Sequence, residues 1–351
     1  MPTLENLLID LVAPAGAPAG LADRVTALSD EDWRNIDARA QQHRLRPYLF
    51  YAAVEQAKLP IPTDIAKGWR DCARASTVEA LLHQRDLVTA IGLFHEEGVD
   101  AVALKGAALA FTAYPQPGLR PMRDIDLWVR PADALRAHHV LLAAGYQAVT
   151  PGDPEILLET DHQLPLLLAP GGETQIEIHA RLFHDAVEED PSPRDEFLTS
   201  CPMIEVAGQS VRVPSPEHQL LHLVVHAAYD HRFDNGPITL PDIAWLTRHH
   251  AIDWPAYHAM TGSLRRGSDA LLGLVAQRFA DAPIEGVEPP EPEAIDMIVR
   301  LMAQDLDHRG GANLLSHAGL LASAFPGARR IAALYGERAR RIYPLSLLAH
   351  W

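Results

Sequence analysis

Leu119-Arg-Pro-Met-Arg-Asp-Ile-Asp-Leu-Trp-Val-Arg130 is the stretch on which the reading of this chain turns. An apolar run follows two acids separated by one isoleucine, the pattern of a β-strand. Successive side chains of a strand point to opposite faces. Asp124, Asp126 and Trp128 therefore share one face, and Ile125, Leu127 and Val129 share the other and enter a core. Two carboxylates on one face repel each other unless something neutralises them. A divalent cation does so well, because Mg²⁺ takes oxygen ligands from one or two carboxylates and from substrate phosphates. From the spacing alone two readings stand side by side: half of a metal and phosphate site, or two solvated acids at a sheet edge. Trp128 is open in the same way, between stacking on a base and packing in a core.

Working outward, Val99-Asp-Ala-Val-Ala-Leu104 reads as a strand that ends at Lys105-Gly106, and Ala107 to Tyr114 reads as a helix. Pro115, Pro117 and Gly118 make a loop into the aspartate strand. Pro131-Ala-Asp opens a helix that runs to Ala144 and stops at Gly145. Further on, Gln163–Leu168 and Thr174–His179 flank the turn signal Pro170-Gly-Gly172 and read as a hairpin. Ile204–Val206 and Val211–Val213 around Gly208 read as a second one. In Gln175-Ile-Glu-Ile-His179, alternation puts Gln175, Glu177 and His179 on one face. If this strand lies beside the aspartate strand, Glu177 joins the two acids. Three acids can hold two divalent ions, which clamp the attacking and leaving oxygens of a phosphoryl transfer. His179 either reaches a phosphate or makes a strand-end hydrogen bond.

The Lys105-Gly-Ala-Ala junction has the makings of an anion site. Helix N-terminal N–H groups attract anions, and glycine lets a phosphate approach the backbone. Lys105 adds a point charge. Arg120 and Arg123 lie just ahead of the acids. Arg120 is the better phosphate ligand, while Arg123 either binds phosphate or pairs with the acids.

The flanks read as helical. Residues 1–95 form an N-terminal helical region, with a helix start at Asp30-Glu-Asp-Trp33 and a long Ala/Leu-rich helix from Cys72 to Phe94. Residues 96–214 form an α/β core, and 215–351 a C-terminal helical domain. In the last, Ser215 caps a helix with Pro216 at its first position. Leu240–His249, Leu271–Phe279, Glu293–Met302 and Leu314–Phe325 are further helices, and Glu188-Glu-Asp190 is a solvated loop. His218, His222 and His226 recur every four residues along one helix face. Three readings of that row remain open: structural histidines, a cleft lining, or a zinc site with Asp242 as a further ligand. The fold class is thus α/β (α+β), a small mixed sheet flanked by helices.

Composition narrows the partners. The chain has 351 residues, is 48% apolar, and carries a formal net charge of −16. Such an acidic surface argues against an extended nucleic-acid footprint, which needs clustered Lys and Arg. Cys72 and Cys201 stand in unrelated contexts, so there is neither a disulfide framework nor a redox motif, and a cytoplasmic setting is expected. The N-terminus has no basic leader region, and no apolar run reaches the length of a membrane span.

At this point the motifs carry a resemblance. Ala103-Leu-Lys-Gly-Ala-Ala-Leu109, Tyr114, Gly118-Leu-Arg-Pro-Met-Arg-Asp-Ile-Asp-Leu-Trp-Val129, Leu142-Ala-Ala-Gly-Tyr146 and Ile176-Glu-Ile-His179 resemble the uncharacterised nucleotidyltransferase family of the DNA polymerase β-like superfamily. A weaker likeness covers Ala40 to Tyr48 and the His-rich stretch Glu217 to Tyr229. The resemblance implies that Gly106 belongs to a glycine motif holding a nucleoside triphosphate. It further implies that Asp124, Asp126 and Glu177 bind Mg²⁺, with Mn²⁺ as the substitute. Two departures stand out. Ala107 occupies a position where the superfamily usually has Gly or Ser, and the third acid is Glu rather than Asp.

The expected function is Mg²⁺-dependent transfer of a nucleotidyl group from an NTP, ATP among them, to a hydroxyl on a small molecule, peptide or protein. A catalytically degenerate, antitoxin-like binding protein is the alternative, and a metal hydrolase built on the histidine row is the third reading. Magnesium-dependent nucleotide binding separates the first two, and tightly bound zinc or iron would mark the third.

Overall fold

The computed structural model describes residues 3–183 and 195–306. The expected helix Leu314–Phe325 and the acidic loop Glu188-Glu-Asp190 lie outside the described residues. The chain divides into two compact units, one built from residues 3–81, 105–122 and 214–306, the other from 82–104, 123–183 and 195–213.

The second unit holds a seven-stranded mixed sheet. Its strands are β1 (Ala101–Ala103), β2 (Asp124–Val129), β3 (Gln147–Ala148), β4 (Leu167–Leu168), β5 (Gln175–His179), β6 (Met203–Val206) and β7 (Gln209–Arg212). They lie in the order β3-β4-β5-β2-β1-β7-β6. The aspartate strand is therefore near the middle. β1 pairs with it antiparallel and β5 pairs with it parallel. Alternation does what it promised: Ile125, Leu127 and Val129 of β2 and Ile176 and Ile178 of β5 are all fully buried. Removing such side chains from water contributes about 1.5–3 kcal/mol each, which pins the register of both strands.

Both expected hairpins form. β4 pairs antiparallel with β5, joined through Thr174 and the left-handed Gly172. β6 and β7 are joined by Ala207-Gly208, both with positive φ (49° and 82°), a two-residue turn whose twist matches the flanking strands. The helix Ala134–Ala143 packs on β5 and stops at Gly145, where φ is 92°. The helix Pro154–Thr160, capped by Asp153, was not anticipated. Trp128 is fully buried and meets the Phe197 ring edge-on at 5.0 Å, so it is a core residue.

The first unit is helical. Ser29 caps Asp30–Gln42 in a reciprocal capping box with Asp32. Ser215 caps Pro216–Val225, with Pro216 in the first turn as expected. That helix is the hub of its unit, packing against Thr239–His249, Trp254–Thr261 and Arg265–Arg278. The long helix expected from Cys72 runs from Thr63 to Glu96, and its chain passes from the first unit into the second. Among the described residues no helix is long and apolar enough to cross a membrane.

Candidate active site

The parallel register of β2 and β5 sets Asp124 opposite Gln175, Asp126 opposite Glu177, and Trp128 opposite His179. Asp126, Glu177 and His179 converge from this pairing: one ligand atom of each lies within 4.8 Å of the others. The His179 Nε2 atom is 2.8 Å from Asp126 Oδ1 and 3.5 Å from Glu177 Oε2. Asp126 and His179 are buried, whereas Glu177 keeps 18% of its side chain exposed. Asp124 sits two residues earlier on the same face, half-buried at the start of β2.

Gln163 extends the cluster. It bridges to His179 across an antiparallel backbone pair, and its side-chain amide donates to Glu177 Oε1 at 3.4 Å. The two carboxylate oxygens of Glu177 thus face different neighbours, Gln163 and His179. The His162 ring lies 5.3 Å from that of His179 and pairs with Asp161 at 2.7 Å. Sequence reading gave Gln163 and His162 no role. The signal was present in Asp161-His-Gln163, three polar residues at the start of an apolar run, but nothing there says which strand they face.

Of the nine residues singled out in the sequence, the fold gathers Asp126, Glu177 and His179 most tightly and sets Asp124 beside them, while Arg123 lies exposed just before β2. Lys105, Gly106, Ala107 and Arg120 belong to the helical unit. There Lys105 opens the helix Lys105–Thr112 with a left-handed backbone, φ 43°, a conformation that residues with a side chain seldom take. Gly106 is tightly packed: a Cβ added there would come within 2.8 Å of Met122 Cγ and 3.0 Å of Arg120 Nη1. Arg120 grips Asp242 through two bonds, Nε to Oδ1 at 3.1 Å and Nη2 to Oδ2 at 2.9 Å. The Tyr114 hydroxyl donates to the same Oδ1 at 2.6 Å. Burial, with the Asp242 charge beside it, pushes the Tyr114 phenol well above its ordinary range, so it stays a donor.

A model of the uncharacterised nucleotidyltransferases matches residues 29–303. The chain belongs to this family. As a member, it is a nucleotidyltransferase with a mixed α/β fold. No curated protein matches the chain. Among solved structures it is similar to the antibiotic-resistance factor ANT(2'')-Ia, at 16% identity over 56% of this chain and 95% of that one, with a TM-score of 0.32. It is also similar to an antigenic nucleotidyltransferase-like protein from Paracoccidioides brasiliensis, at 16% identity over 56% of this chain and 91% of that one, again with a TM-score of 0.32.

The histidine row of this nucleotidyltransferase gathers no three-ligand group among the described residues. His218 Nδ1 bonds the capping Ser215 hydroxyl at 2.9 Å, and burial holds its ring below the usual histidine range. The α-helix ends at Val225, and His226–Asp230 continue as a wide turn in which His231 N–H donates to His226 O. The four-residue spacing therefore does not extend along one straight face.

Proposed function

We propose that this nucleotidyltransferase moves a nucleotidyl group from an NTP to a hydroxyl of a small molecule, peptide or protein, with divalent metal held at the sheet. The observation that carries the reading is the β2–β5 register, which sets Asp126 opposite Glu177 on one face. The donor set suits a cation: two carboxylates and an imidazole nitrogen within 4.8 Å. In this reading Asp124, Asp126 and Glu177 hold Mg²⁺, as a two-ion site, and the metal supplies charge neutralisation at the triphosphate and at the attacking oxygen. Residues 96–214 form the catalytic region, the Lys105-Gly106-Ala107 helix start is the anion-binding element, and Arg123, next to Asp124, is a phosphate contact. That assignment follows the family motif. The acceptor oxygen forms a bond to the α-phosphorus, the bond to the β-phosphate oxygen breaks, and pyrophosphate leaves with that electron pair. The hydroxyl proton passes to solvent. Rate enhancement comes from positioning and from neutralised charge rather than from covalent catalysis. The −16 net charge supports a compact acceptor over extended nucleic acid, and a cytoplasmic setting remains part of the reading.

Calorimetry with ATP, GTP, CTP and UTP in Mg²⁺ tests it. Wild type is expected to bind at least one nucleotide in a magnesium-dependent way, and the Asp124→Asn/Asp126→Asn variant is expected to lose that binding while remaining folded. Folded wild type that binds none of the four would refute the reading.

A further inference from the structure

We infer that His179 is itself a metal ligand, and that with Asp126 and Glu177 it forms a site selective for a first-row transition ion over Mg²⁺. The inference deepens the proposed function and rests on it for the site's role.

The geometry comes first. Ligand atoms about 2.1 Å from a common octahedral ion stand about 3.0 Å apart when adjacent and about 4.2 Å apart when opposed. The Nε2 of His179 is 2.8 Å from Asp126 Oδ1 and 3.5 Å from Glu177 Oε2, and all three ligand atoms lie within 4.8 Å of one another. The two spacings to Nε2 are near those of adjacent ligands on one ion, and the shorter is also that of a hydrogen bond between His179 and Asp126. Asp126 lies opposite Glu177, and His179 is the next residue on the same face of β5, so the backbone ladder holds their spacing. Gln163 ties down the other oxygen of Glu177, which fixes which oxygen faces the centre.

The donor chemistry comes second. Mg²⁺ is hard, prefers an all-oxygen octahedron and keeps much of its water. An imidazole nitrogen placed between two carboxylates shifts a site toward borderline ions, which accept nitrogen and oxygen together. His179 is 1% exposed, so its nitrogen is presented in a dry setting where water does not easily take its place at the ion.

Mn²⁺ alone is the probe, since it is paramagnetic and comparable with Mg²⁺ in competition. Pulsed electron spin echo spectra of wild-type protein with Mn²⁺ are expected to show coupling to one histidine nitrogen. Titrations are expected to show Mn²⁺ binding at least about tenfold tighter than Mg²⁺. His179→Gln is expected to lose the nitrogen coupling and to weaken Mn²⁺ about tenfold or more, with Mg²⁺ changed far less. Bound Mn²⁺ without nitrogen coupling in wild type would overturn the inference. That result needs no variant to fold, and it would leave magnesium-dependent nucleotide binding intact as a separate finding. Folded wild type that binds neither ion, with or without nucleotide, would overturn the inference and the proposed function together.

Discussion

Each unit of this protein buries an aspartate among polar partners, and the two clusters are built in opposite ways. In the helical unit Asp242, 1% exposed, receives a two-bond grip from Arg120 and a third bond from Tyr114. One negative charge meets one positive charge and one hydroxyl, and the account closes within the chain. In the sheet unit Asp126 and Glu177 both approach the single nitrogen of His179. Two acids converge on one imidazole, a donor set suited to a cation from outside. The contrast separates a polar cluster closed within the chain from one whose donors fit the proposed metal, although composition alone makes the two look alike.

The comparison can be broken by substitution. The largest effect is expected at Arg120→Met. It leaves Asp242 buried without its cation and should destabilise the protein by about 3 kcal/mol, since losing one partner of a buried pair typically costs 3–5 kcal/mol. Urea unfolding would report it as a lower midpoint at an unchanged slope, and a midpoint within experimental error of wild type would erase the distinction between the clusters. A smaller effect is expected at Glu177→Gln. The amide can still accept from Gln163 while one of two like charges is removed, so stability should stay within about 1 kcal/mol of wild type while divalent-metal binding is lost. A large drop in stability with metal binding retained would make the sheet cluster structural after all.

The smallest effect concerns His138, buried in the sheet unit but outside the acid cluster. Burial, helped by neighbouring His139, holds its ring below the usual histidine range. The unfolded chain takes up that proton near pH 6.5 and the folded chain only at lower pH. Its contribution is therefore full above about pH 6.5 and is lost as pH falls through that value toward the folded one. His138→Leu should lose less stability than wild type between about pH 7.5 and 5.5, read from urea midpoints at each pH. Parallel curves for the two proteins would assign the acid sensitivity elsewhere.

Much of the sheet was legible because alternation has a physical origin. Asp124–Val129 and Gln175–His179 each bury one face, and a one-residue slip would put isoleucine in water and acid in the core. The second hairpin was legible from Gly208, but its loop is two residues rather than four, and the positive φ of Ala207 was not legible. What alternation does not encode is which strands become neighbours. The parallel pairing of β2 with β5 could be stated only as a condition on Glu177, and the approach of His179 to Asp126 follows from that pairing. Sequence reading had His179 as a phosphate contact or a strand-end bond, and showed no sign that it meets both acids. Arg120 was read as a phosphate ligand from its place just ahead of the acids, whereas the structure gives it two bonds to Asp242, more than a hundred residues away. The left-handed backbone of Lys105 was equally hidden, since no local residue pattern demands it.

The sheet also has a timetable. The β6–β7 hairpin joins residues that are neighbours along the chain and can close within microseconds. The β2–β5 pairing joins strands separated by the helices and the hairpin partner that lie between them, and such parallel, non-local contacts form slowly. Asp126, Glu177 and His179 are therefore brought together late, after much of their scaffold exists. In the proposed reading a newly made chain would capture metal only once its central strands are in register, so metal capture would double as a sign that the sheet has formed.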